Sequence, residues 1–245
     1  MGRNPIQNPI QYYFCNFTTF LASLLSIPYP TNQFEYNRLM HLKSHLLLTI
    51  ILVAFNIPII WKIITPGYFP VHDNTQVARV FEIYQTLKNH EFPARWANNL
   101  GFGYGYPIFN FYNPFPYYFG ASSMFLGFDA LIAAKIMFIF PIIFSVFSMY
   151  VFSRIILNKW GAVLSSTLYL YAPYHGVQIF VRGAVAEYWA YAILPLLFWA
   201  IWKKKFLIFY FSLTALILSH NLTALMSIPF ILFLIIIKLL TLKTK

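Results

Sequence analysis

Six polar side chains could do chemistry together: His72, Asp73, His175, Arg182, Glu187 and His220. An accessible carboxylate can take a proton from a hydroxyl as a general base. A guanidinium can neutralise charge that develops on a phosphate oxygen, and histidine can assist at the same place. Each residue also has a plainer reading. Asp73 and Asn74 stand just before a helical pattern, where Asp and Asn are favoured N-caps. Arg182 and Glu187 are five apart, roughly 140° around a helix, so they are not a simple i,i+4 pair. Each can instead pair elsewhere or sit in interfacial water. His220 can cap a helix C-terminus or meet water. His41 and His45 share a helix face, but zinc wants three or four ligands and no carboxylate or thiolate joins them. No metal ligand set is therefore assigned; no cofactor is implied, and a divalent metal stays open.

The background to these residues is apolar. Of 245 residues, 60% are hydrophobic and 9% are charged, against about 25% charged in soluble domains. The mean hydropathy is +0.64. Seventeen basic and six acidic residues cannot clothe a soluble core of this size. This excludes an ordinary cytosolic enzyme, a disordered chain and a disulfide-stapled domain. The net charge of +11 does not point to nucleic acid, because the basic residues punctuate apolar runs and form no polar face. The single Cys15 excludes an internal disulfide.

The elements that must position the polar groups are membrane helices. A bilayer core of ~30 Å takes about 20 apolar residues. Residues 46–64 and 131–152 read as one span each. Residues 160–202 and 206–240 are too long for one crossing and must each turn back, at Ala172-Pro173-Tyr174-His175-Gly176 and at Ser219-His220-Asn221. The expectation is an all-α polytopic membrane bundle of about six helices. Arg38, Lys43, Arg154, Lys159, Lys203-Lys204-Lys205 and Lys238 then fall on one side, the cytoplasm, with both termini. Asp73, Glu82, Glu91, Asp129 and Glu187 fall on the other side. Residues 1–39 form an ill-defined extension holding a short apolar stretch, 14–27; Met40 looks like a natural start. The membrane domain is 40–245.

One long connection, residues 65–130, lies outside. It is dense in Phe, Tyr, Trp and Pro, unlike a disordered segment. Val77, Val80, Phe81, Tyr84 and Leu87 recur at helical spacing, with Gln76, Arg79, Gln85 and Lys88 on the other sides, which predicts an amphipathic helix at the outer surface. The glycines at 101, 103 and 105 do not fit a phosphate loop, because the dinucleotide pattern needs glycine at Tyr106 and no Walker lysine follows. The aromatic residues suit interfacial anchoring first and stacking on sugar rings second. Asp73, His175, Arg182, Glu187 and His220 come from three outer connections, which topology brings to one membrane face.

Several segments together resemble the prokaryotic membrane proteins called 6-pyruvoyl-tetrahydropterin synthase-related: 66–73, 92–96, 103–112, 181–187 and 219–225. The likeness runs from about Leu46 to the C-terminus, and the chain corresponds to the N-terminal part of such a protein. That family is similar to the GT-C glycosyltransferases. The resemblance implies a GT-C-like fold in the plasma membrane and transfer of a sugar from a polyprenyl-phosphate donor at the outer face. A glycan or other hydroxyl compound is the acceptor. Asp73 falls at the acidic-motif position and is the expected base, with His220 assisting. Arg182, Glu187, His72 and His175 are the expected phosphate or substrate contacts. The rival readings are a transporter or lipid flippase, which would put polar groups near mid-membrane on broken helices, and a non-catalytic fragment.

Overall fold

The structure is a computed structural model and describes residues 33–243. The expectations for 1–32 lie outside the described residues, as do the side chains of His41 and His45. Contacts divide the chain into two units, Met1–Leu48 and Thr49–Lys245. Of the first, the described part is the opening half of helix α1 (Gln33–Ile64). Everything below concerns the second.

The second unit is helical throughout its regular elements. After α1 come α2 (Gln76–Lys88), α3 (Ile108–Phe111), α4 (Phe115–Phe125), α5 (Ala130–Ser153), α6 (Lys159–Leu170) and α7 (Pro173–Val177). A π-helical turn, Gln178–Arg182, leads into α8 (Val185–Lys203), α9 (Phe206–Ser219) and α10 (Asn221–Lys243). Local chemistry sets several of these boundaries. Asp129 Oδ1 accepts the Ile132 N–H at 2.8 Å and starts α5. Asn158 Oδ1 does the same for Gly161 in α6, at 2.8 Å. The two expected breaks fall at Tyr171–Ala172 and at His220.

Among the described residues, three helices are long and apolar enough to cross a membrane: Ala130–Ser153, Val185–Lys203 and Asn221–Leu240. The other stretches read as spans give shorter apolar helices, Ile50–Ile64 and Phe206–Ser219. The 12 residues of α6 rise only about 18 Å. The chain turns at Tyr171, because Pro173 cannot continue the preceding helix.

The core sits between α5 and α8. Ala133, Ala134, Ala190, Ala192 and Ala200 are buried and small, so the helices approach closely. Ser148 Oγ crosses the seam to the Ala192 carbonyl at 2.7 Å. Two prolines shape the packing further. Pro141 has no N–H for the carbonyl of Met137, four residues earlier, and the Trp189 indole N–H donates to that oxygen at 2.9 Å. Pro195 frees the Tyr191 carbonyl in the same way, and the Tyr169 hydroxyl donates to it at 2.8 Å. Each side chain satisfies an acceptor that its proline would have orphaned in an apolar interior.

Candidate functional site

The site forms where two connections pair through their backbones. The His72 N–H donates to the Val181 carbonyl at 2.8 Å, and the Asp73 N–H donates to the Arg182 carbonyl at 3.1 Å. Gly183 ends the π turn with φ +67, and a Cβ there would sit 2.9 Å from Val71 Cγ2 and 3.0 Å from the Asp73 carbonyl oxygen. Only glycine meets both the left-handed backbone and the close approach. The Gln76 amide then donates to the Gly183 carbonyl at 2.8 Å and locks α2 onto the same junction.

A cleft of about 270 Å³ opens beside this junction. Asp73, Arg182, Glu187 and His220 all line it, with Phe111, Tyr112 and Asn113 closing another side. His72 is exposed beside it and is not among its walls. His175 is buried, at 4% exposure, among the rings of Tyr169, Tyr188 and Tyr191. It is not among the walls of the cleft. Its burial holds the imidazole pKa below the ordinary value.

Asp73 is not the cap of α2. Thr75 takes that position, and no side chain caps the helix. The carboxylate instead accepts from Thr75 Oγ1 at 2.7 Å, from Gln76 Nε2 at 3.0 Å and from Arg79 Nη1 at 2.7 Å. The Asp73 side chain is 22% exposed and that of Arg79 is 10%. Arg79 Nη1 also reaches the Tyr117 hydroxyl at 3.2 Å, and Tyr117 donates to Gln76 Oε1 at 2.8 Å. The Arg79 guanidinium lies over the Tyr112 ring, 4.4 Å from its centroid. Burial opposes the charge on Arg79, but Tyr117 and Asp73 outweigh it and push its pKa up. Burial raises Tyr117 to about 12, against the lowering influence of Arg79. Tyr117 is therefore a neutral hydroxyl at any ordinary pH.

The buried side of α2 is partly polar. Val77, Val80, Tyr84 and Leu87 pack on the core as their spacing predicts, and Lys88 is exposed. Gln76 and Arg79, expected on the other sides, are buried with Glu82 and Thr86, whereas Phe81 is exposed. Each buried polar group finds a partner: Glu82 accepts from the Asn99 side chain at 2.7 Å and from its backbone N–H at 3.3 Å.

Arg182 and Glu187 form the second pair. Arg182 Nη1 lies 2.7 Å from Glu187 Oε2, with the two side chains 49% and 12% exposed. Tyr174 joins them, donating to Glu187 Oε1 at 2.9 Å and meeting Arg182 Nη1 at 3.1 Å. The separation around an ideal helix does not apply, because the π turn and Gly183 interrupt the chain between them. His220 Nδ1 accepts the Thr223 N–H at 3.2 Å and meets its hydroxyl at 2.7 Å. Its side chain caps the start of α10, while its backbone N–H closes the end of α9 on the Leu216 carbonyl at 3.0 Å. That bond leaves the proton of the neutral ring on Nε2. Burial lowers the His220 pKa, with Glu187 pulling the other way.

Sequence reasoning missed Gln76, Arg79, Tyr117, Tyr174 and Asn113 as parts of the site. Arg79 had a readable signal: Gln76, Arg79 and Glu82 recur every three residues on one face. Tyr117 had none. Among the described residues, no group of three or more His, Cys, Asp or Glu side chains could hold a metal ion. Compared with known proteins, the chain matches no family model, no curated protein and no solved structure.

Proposed function

We propose that this chain is a GT-C-like membrane glycosyltransferase, transferring a sugar from a polyprenyl phosphate to a hydroxyl acceptor at the outer face. The observation that carries the reading is the shared cleft: a carboxylate, a guanidinium, an imidazole and aromatic walls meet there from separate segments of the chain. Its volume is near the lower end of the range for small-ligand pockets, about 300–1,000 Å³. In the reaction, the acceptor oxygen attacks the anomeric carbon and Asp73 takes its proton. The bond from that carbon to the phosphate oxygen breaks, and polyprenyl phosphate leaves with the electron pair. Arg182 meets the charge that develops on the phosphate, the His220 ring donates to it, and Glu187 with Tyr174 holds Arg182 in place. Arg79 is a positioning residue, since it faces Asp73 and Tyr117 from behind the cleft.

The test is transfer from a polyprenyl-phosphate sugar by the protein in liposomes. Asp73→Asn removes the base and is expected to abolish transfer. It also leaves the Arg79 cation without its carboxylate, which destabilises the fold. Asp73→Asn with Arg79→Gln removes both charges and is expected to recover the unfolding temperature without recovering transfer. Full transfer by either variant would overturn the base assignment.

A further inference from the structure

A second cavity lies at the opposite end of the helices. Its volume is about 360 Å³, and α8, α9 and α10 supply its walls. Ile201, Phe209, Ile235 and Leu239 line it, and Lys204 and Lys238 are its charged members. Its position follows from helix length. His220 and Phe206 bound the 14 residues of α9, so this groove and the cleft stand about 21 Å apart along that helix.

The end of α8 builds the charged rim. Lys204 takes the left-handed conformation with φ +55. The Lys205 N–H turns back to the Ala200 carbonyl at 2.9 Å. Lys203, Lys204 and Lys205 are all exposed. The Lys238 ammonium lies 4.5 Å from the centroid of the Trp202 ring, which fixes it at the same level. No Asp or Glu follows Glu187 in the chain, while lysine occurs at 203, 204, 205, 238, 243 and 245.

We propose that this groove binds an anionic phospholipid, with the headgroup phosphate between Lys204 and Lys238 and one acyl chain along Phe209, Ile235 and Leu239. Two of its walls, α8 and α10, belong to helices long and apolar enough to span a bilayer, so the apolar part lies at acyl-chain depth. The cationic rim comes at the helix ends, where headgroups sit. A free anion would not use the apolar walls, and a zwitterionic lipid would gain little from two ammonium groups. The proposal is independent of the transfer reaction.

The full chain, in nanodiscs of phosphatidylglycerol mixed with phosphatidylcholine, tests this by native mass spectrometry of the retained lipid. Phosphatidylglycerol is expected to be retained about 30-fold over phosphatidylcholine, the effect of two basic residues near an anionic headgroup. Lys204→Gln with Lys238→Gln is expected to bring the ratio near one. A readout on the native chain covers the case in which the double variant does not fold. Brominated phosphatidylglycerol is expected to quench tryptophan fluorescence more than brominated phosphatidylcholine, and Trp202→Phe to remove the difference. Glycerol phosphate added in excess is expected to displace nothing. Equal retention of the two lipids by the native chain, an unchanged ratio in the folded double variant, or a dimer that buries Tyr210 and excludes lipid would each overturn the proposal.

Discussion

At the scale of single residues, the site is built from pairs that cancel. Asp73 is held by Arg79 and Arg182 by Glu187. In the proposed reaction the phosphate must compete with Glu187 for Arg182, which favours release of the anionic product. His175 plays another part. It is an imidazole buried among tyrosine rings, and its burial lowers its pKa and so favours the neutral ring. Its folded pKa is depressed, so its contribution to stability is present above the unfolded value of about 6.5 and is lost as the pH falls through the lowered folded value. His220 shares the direction. The unfolding temperature is therefore expected to fall as the pH is taken from 7.5 towards 5. His175→Phe, which cannot take a proton, is expected to flatten part of that fall. A curve of unchanged slope in that variant would remove His175 as a source of the pH dependence.

At the scale of elements, helix joints made by prolines and closed by aromatic side chains tie the spanning helices together. The Met137 carbonyl lacks its own-helix donor because residue 141 is proline, and Trp189 of α8 supplies one. Trp189→Phe keeps a large ring but leaves that carbonyl without a donor, at a cost of about 1–3 kcal/mol. Pro141→Ala returns an own-helix N–H to the same carbonyl. Combining the two is expected to recover part of the loss, so unfolding measurements on the two single variants and the pair should show a coupling, not a sum. Strict additivity would mean that the indole contributes through ring packing alone.

At the scale of the whole molecule, the two ends of the bundle differ in charge. All the acids that the structure places in contacts lie at the cleft end or in the long connection that precedes α5, and lysines gather at the turn after α8. The positive-inside rule predicts that the lysine end faces the cytoplasm. Reporter fusions after Lys205 are expected to report the cytoplasm, and fusions at Asn98 and Gly176 the outer side. A cytoplasmic signal at Asn98 would place Asp73 in the wrong compartment for a lipid-linked sugar presented outside, and the proposed reaction would fall with it.

The sequence by itself determined the all-helical membrane class, because apolar run length and sparse charge leave no other way to satisfy a backbone in lipid. It also determined the breaks just before Pro173 and at His220, where proline and polar residues interrupt apolar runs too long for one crossing. It marked Asp73, Arg182, Glu187 and His220 by type, since ionisable groups are costly beside a bilayer and persist where something uses them. Tertiary structure alone decided how they are joined. Gln76 and Gly183 are 107 positions apart, and the bond between them depends on two loops pairing across the bundle. No local period encodes such a pairing. The same holds for Gln76 and Arg79 of α2, whose spacing placed them away from the apolar side; hydrogen-bond partners on other segments made their burial favourable. The exclusion of His175 from the cleft was equally illegible, because the direction of a side chain beside a π turn depends on the rings packed around it. Periodicity reports which residues share a face, and only packing decides what that face meets.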